Sequence, residues 1–247
     1  MLDIYPFYGR QLADAKGARR WVLRLIPAHV FAIVRSECHL VRVRLTSRAA
    51  AAKRLGRHLM LNIGSGADRK AGWVNVDVFS APGIDIIYDC RKRLPFADGS
   101  ARCIFTEHFF EHLEYTEEVP SFLAECRRVL EDRGVLRIIV PDAERYVRAY
   151  CTPGWSDMAA LRTLGPDRSD PFLEGRYDTK MELLNAVFRQ GHQHKFAYDY
   201  ETLAHVLKAS GFRTVIRQEF GRSVSDECAI DRPERAPESL YVEAVKD

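Results

Sequence analysis

This 247-residue chain predicts an α/β fold on a doubly wound, mostly parallel sheet, and three observations carry that expectation. Apolar runs alternate with helix-forming segments from Leu59 to Val140. The first run, Leu59–Ile63, ends in Gly64-Ser65-Gly66, and acidic residues close later runs at Asp77, Asp89 and Glu107. Nearly continuous apolar strands suit a parallel sheet covered on both faces. In such sheets the ligand lies beyond the carboxyl ends of the strands, so Gly64, Asp77, Asp89 and Glu107 converge on one place. Glycine lacks a Cβ and tolerates positive φ, which lets backbone at the Gly64–Gly66 turn approach a ligand closely. An acid closing the second strand can take both hydroxyls of a ribose.

Taken in order, residues 10–57 read as a helical arm in two or three pieces, interrupted at Pro27. The whole arm, residues 1–57, carries twelve Lys/Arg against three Asp/Glu, whereas the remaining residues sum to −6. A basic arm on an acidic body is not a general nucleic-acid footprint, so no nucleic-acid partner is expected. It suits packing on the domain, a lid, or peripheral contact with an anionic membrane face. Its apolar run around Trp21–Val34 is too short for a bilayer span and contains Arg24.

Residues 58–247 read as the main domain, one sizeable core's worth of chain. Strands are expected at Leu59–Ile63, Trp73–Val78, Ile84–Tyr88, Ala101–Thr106 and Val135–Val140. The link from Gly66 to Trp73 is too short for a full crossover helix and leaves room for about one turn. A helix begins near Thr116, with Thr116 as its cap, Glu117 and Glu118 favouring its positive end, and Gly134 beyond its end. Phe122, Leu123, Cys126, Val129 and Leu130 form its buried stripe. Residues 143–195 form a lid or acceptor-binding insertion, with helices over Ala143–Tyr150 and near Lys180–Arg189 flanking a Pro/Gly/Asp-rich stretch. A helix from Tyr200 to Ser210, capped by Asp199, precedes an antiparallel pair, Val215–Phe220 and Ser239–Val245, joined by a polar loop.

The six cysteines form no CxxC pair and read as reduced thiols. Acidic and aromatic residues precede any apolar run, so no signal peptide is expected and a cytoplasmic location is.

Five motifs in order resemble a class I S-adenosylmethionine-dependent methyltransferase of the small type often called type 11. LNIGSG resembles the first motif and VNVD the second; YDC followed by LPF resembles the third. CIFTEHFFEHL resembles the fourth, and RRVLEDRGVLRIIVPD the helix and fifth strand after it. The likeness is close over Leu59–Asp142 and looser from His194 to the end. Within the family it most resembles a bacterial subgroup often encoded beside cell-envelope or glycan genes. It implies a seven-stranded Rossmann-like sheet and S-adenosylmethionine as cofactor, bound by Asn62 and the Gly64, Ser65 and Gly66 turn. Asp77 and Val78 would serve the ribose side. Asp89 would take the adenine amino group, the Cys90 amide the ring nitrogen, and Glu107 would border the site. Two departures stand out. Asn62 replaces the family's usual acid, and the short Gly66–Asp77 link leaves part of the cofactor's cover to come from the arm or the insertion.

The acceptor implied is a small molecule, glycan or lipid-linked group methylated on oxygen or nitrogen. Displacement at an activated sulfonium asks the protein mainly for proximity, worth roughly 7–11 kcal/mol at best, and for handling the acceptor's proton. An imidazole with a pKa near ~6.5 is a natural base. His108, directly after the fourth strand, and His194, on the insertion beside His192, are the catalytic candidates.

HFFEH also matches the H-x-x-E-H zinc-protease signature, but that motif needs a helix presenting both histidines. His108, Glu111 and His112 resemble, with the first ligand changed, a metal-binding segment of certain O-methyltransferases, so a metal-assisted variant is the alternative. A non-catalytic cofactor-binding partner is a further one. A nicotinamide dehydrogenase is disfavoured because no third glycine follows Gly66 at a helix start.

Overall fold

The computed structural model describes residues 27–46, 56–173 and 175–247. The expectations for residues 1–26 and 47–55, including the Trp21–Ile26 run and the Ala49–Ala52 run, lie outside the described residues.

The first described element is helix α1, Ala28–Thr46, which starts directly after Pro27. The sheet then takes shape from β1 (Leu59–Ile63), β2 (Val74–Asp77), β3 (Ile86–Ile87), β4 (Ala101–Glu107) and, after helix α2 (Glu118–Val129), β5 (Leu130–Pro141). An insertion follows: α3 (Ala143–Cys151), α4 (Ser156–Arg162), the short pair β6 (Ser169–Asp170) and β7 (Gly175–Arg176), and α5 (Lys180–Arg189). Helix α6 (Tyr200–Ala209), β8 (Thr214–Gln218) and β9 (Ser239–Val245) close the chain.

Seven strands form one sheet in the order β3-β2-β1-β4-β5-β9-β8. The first five pair in parallel, while β9 runs antiparallel to both β5 and β8. The strand order reverses between β1 and β4, where a doubly wound sheet opens its ligand crevice.

Period-two alternation sorts the two faces of this sheet. Ile104 of β4, Leu136, Ile138 and Val140 of β5, and Leu240, Val242 and Ala244 of β9 join the main core with Phe122, Leu123, Leu203 and Leu207 of α2 and α6. Their neighbours Cys103, Phe105, Val135, Ile139 and Tyr241 point the other way and pack with Trp73 and Cys228.

Among the described residues no helix covers this second face at the Gly66–Trp73 link; the segment 221–238 covers it instead. Read from sequence as a polar loop, that segment is pinned at several points. Arg137, fully buried in β5, meets Asp231 at 2.6 Å and Glu243 of β9 at 2.8 Å. Cys103 and Cys228 form a disulfide, which corrects the expectation of reduced thiols throughout; Cys38, Cys90, Cys126 and Cys151 are free. Lys70 Nζ donates to the Ile230 carbonyl at 2.7 Å, tying the short link to the segment that replaces its helix.

Side-chain caps mark the starts of α3, α5 and α6. Asp142 and Asp199 accept backbone amides at the starts of α3 and α6, and Thr179 with Glu182 forms a capping box on α5. Thr116 does not cap α2. Glu114 takes its place, with one carboxylate oxygen accepting the Thr116 amide, its hydroxyl and the Glu117 amide. The third strand is only two residues long, and the fifth starts five residues earlier than expected, so Gly134 lies inside β5 rather than at a helix end. The insertion has a core of its own, centred on Tyr146, Met158, Tyr177 and Leu183.

Candidate functional site

A cleft of about 180 Å³ opens at the carboxyl ends of β1, β4 and β5. Its floor is the Gly64–Asp68 turn. One wall carries Glu107, His108 and His112; another, from the insertion, carries Arg162, Phe172 and His194; Arg232, Arg235 and Glu238 form the third.

The turn is set from below. Asn62, buried in β1, donates to the Asp68 carbonyl at 2.9 Å and to Asn75 Oδ1 at 3.0 Å across the β1–β2 pairing. Gly64 and Gly66 both have positive φ, +69° and +54°. A Cβ on Gly64 would lie 2.5 Å from the Phe109 ring, so what approaches this glycine is the chain's own aromatic side chain. Nothing stands within 4 Å of a Cβ on Gly66, and that side is open. The buried Ser65 hydroxyl has no hydrogen-bond partner among the described residues.

Asp77 ends β2 with both oxygens engaged, one accepting the Gly66 amide and the other the Phe79 amide, each at 2.8 Å. It thereby braces the turn against β2. Asp89 is buried and meets Arg44 of α1 at 2.7 Å and Arg91 at 3.1 Å. Burial would raise its carboxyl, yet Arg91 and Arg44 hold it below the usual carboxylate range. Helix α1 adds a second contact here. The His39 ring stacks on Phe79 at 4.8 Å and its Nε2 lies 3.0 Å from the Val78 carbonyl. Burial, with the charges of Asp77 and Asp89, pushes the neighbouring Cys90 thiol up.

His108 directly follows β4 in the left-handed region, φ +54°, a costly backbone for a non-glycine residue that gathers at functional sites. Its Nε2 lies 3.0 Å from Ser239 Oγ of β9, and its Nδ1 lies 3.4 Å from Glu111. His194 Nε2 lies 3.8 Å from the same carboxylate oxygen. The rings of His112 and His194 meet edge to face at 4.6 Å. Three imidazoles thus surround one buried carboxylate. Burial would raise the Glu111 carboxyl, but His108, His194 and His112 bring it down to about 2. Burial lowers His194 to about 4, against the opposing pull of Glu111. A neutral imidazole at His194 is therefore its resting form near neutrality. His192, in the short 3₁₀ turn after α5, is not among the residues lining the cleft.

Residues 61–138, which span β1 to β5, match the family model of a methyltransferase domain. Over this stretch the chain is similar to methyltransferase domains. No curated protein matches the chain. Among solved structures it is similar to a SAM-dependent methyltransferase from Archaeoglobus fulgidus (18% identity, 85% of this chain and 94% of that one, TM-score 0.47). It is also similar to the 1,6-didemethyltoxoflavin-N1-methyltransferase of Burkholderia thailandensis (15% identity, 94% and 92%, TM-score 0.45). A third is a possible histamine N-methyltransferase from Thermotoga maritima (13% identity, 99% and 100%, TM-score 0.47).

S-Adenosylmethionine, the cofactor that the likeness implies, fits at the turn. An orphaned Ser65 hydroxyl and an open Gly66 leave groups and space for the methionine portion, and each Asp77 oxygen keeps a second lone pair after accepting its amide. The adenine side is different, because Arg44 and Arg91 already occupy Asp89. The wall from 221–238 was not legible in the sequence. Arg232 grips Glu107 at 2.8 Å, so Glu107 helps to hold that wall. Glu238 receives Tyr146, Arg162 and Arg235, joining the insertion to β9. An alternation-breaking Arg137 in β5 was the one available sign that this face receives an acidic segment.

Proposed function

We propose that the methyltransferase domain moves the cofactor's methyl group to an oxygen or nitrogen of a small-molecule, glycan or lipid-linked acceptor seated between the sheet and the insertion. One observation supports this most: a single cleft runs from the Gly64–Asp68 turn to His108 and His194. Bound S-adenosylmethionine supplies a methyl already activated by its sulfonium. The chain's own residues do the rest. The turn and Asp77 hold the donor, and the insertion together with 221–238 walls the acceptor off from water. His108, steadied by Ser239 and Glu111, orients the acceptor atom and takes its proton. His194, kept neutral by burial, lines the same space as a hydrogen-bonding partner.

Calorimetry with S-adenosylmethionine and its demethylated product tests the donor half. Wild type binds both, and Asp77→Ala weakens binding at least tenfold, since hydrogen bonds to a charged acceptor contribute about 1.5–3 kcal/mol each. Undiminished affinity in Asp77→Ala removes the ribose role. Mass spectrometry of whatever co-purifies in the cleft identifies the acceptor class.

A further inference from the structure

We propose that Glu111, His112 and His194 form a binding site for one divalent first-row transition ion, of the zinc class, on the acceptor side of the cleft. One ligand atom from each lies within 4.8 Å of the others, and no other such group of three occurs among the described residues. Ligands about 2.0–2.2 Å from a common ion stand roughly 3–4 Å apart, so small side-chain rotations close the set.

A second observation is independent of that clustering. The Glu111 side chain is 2% exposed, and neither of its oxygens has a hydrogen-bond partner among the described residues. His108 Nδ1, at 3.4 Å, is a long contact, so the buried carboxylate is left without a well-formed hydrogen bond, and a cation is a partner that its oxygens can take. The imidazoles already face it. His112 Nδ1 lies 3.2 Å from the Gln193 carbonyl, so donation there leaves Nε2 bare as a ligand. The Lys195 amide donates to the Glu111 carbonyl at 2.8 Å, stitching the turn after β4 to the insertion and holding the set together.

Two imidazoles and a carboxylate favour zinc, iron(II) or manganese(II) over magnesium and calcium, which take oxygen ligands. Three protein ligands leave a position open, and His112 and His194 line the cleft on that side. An acceptor hydroxyl suits such a position; a protonated amine is repelled from it. The use of the ion rests on the methyltransferase reading, but its binding does not.

The test uses the full chain with Cys38→Ser and Cys151→Ser, which removes the two exposed thiols as rival ligands. After chelation and dialysis, zinc is titrated against a competing chromophoric chelator, with no S-adenosylmethionine present. One zinc per chain is expected. The double variant His112→Ala/His194→Ala should lose it, and Glu111→Gln should weaken it by roughly tenfold to a hundredfold. Zinc should raise the melting temperature of the parent and not of the double variant. S-Adenosylmethionine affinity should survive in the double variant, which separates failure of the ion site from failure of the cofactor site. Absence of stoichiometric zinc in the parent overturns the proposal. So does undiminished zinc affinity in a double variant that still binds S-adenosylmethionine.

Discussion

At the scale of single residues, His108 concentrates the chemistry. A left-handed backbone, a Ser239 contact and a buried carboxylate fix one imidazole at the end of β4. Replacing it by alanine should lower turnover on the true acceptor by about 10²–10⁴-fold, with cofactor affinity nearly unchanged by calorimetry. Wild-type turnover in that variant would move the role to His194. Glu238 carries a prediction about pH. Burial opposes its charge, but Arg162, His108 and Arg235 bring its carboxyl down from 4.5 to about 2. A depressed carboxyl stabilises the fold most above its unfolded value and loses that contribution as pH falls toward its folded one. Urea midpoints should therefore drop between pH 4.5 and 2. Glu238→Gln should be less stable at pH 7 by roughly 3–5 kcal/mol, since it leaves a buried Arg162 short of a partner, and the gap should shrink toward pH 3.

At the scale of elements, α1 holds the groups that the family resemblance gives to the nucleoside. Arg44 pairs with Asp89, and His39 covers Phe79 and the Val78 carbonyl. The opposite stretch of cleft cover comes from the insertion and from 221–238, so the short Gly66–Trp73 link is compensated from two directions. Adenine reaching Asp89 must displace a guanidinium. Arg44→Ala should then tighten S-adenosylmethionine by up to about fivefold in calorimetry, the worth of a partly exposed ion pair near 1 kcal/mol. Weaker binding in that variant would instead make α1 a clasp that the cofactor needs.

At the scale of the whole molecule, an excess of basic residues and an exposed apolar face belong to the same stretch of chain. Val30, Val34, Val41 and Leu45 are exposed along one face of α1, within the arm whose balance is +9. Among the described residues no helix is long and apolar enough to cross a membrane. We expect that face to dock on anionic lipid. The chain should sediment with phosphatidylserine vesicles at low salt and be released at high salt, whereas a chain lacking residues 1–46 should stay in the supernatant. Equal recovery of both chains with the vesicles would exclude the arm as the contact.

The sequence by itself determined the parallel sheet, its Gly64–Gly66 turn and the acids at its strand ends, because period-two burial and glycine's freedom at positive φ are local properties written residue by residue. It also determined where α6 starts, through Asp199, and placed α5 near Lys180–Arg189. Only the tertiary structure decided what covers the second face. The partners of Arg137 and Cys103 lie about a hundred residues along the chain, and no local pattern names them. It likewise decided that Glu111 meets His194 and that Asp89 meets Arg44, since pairs distant in sequence are selected by packing of whole elements rather than by propensity.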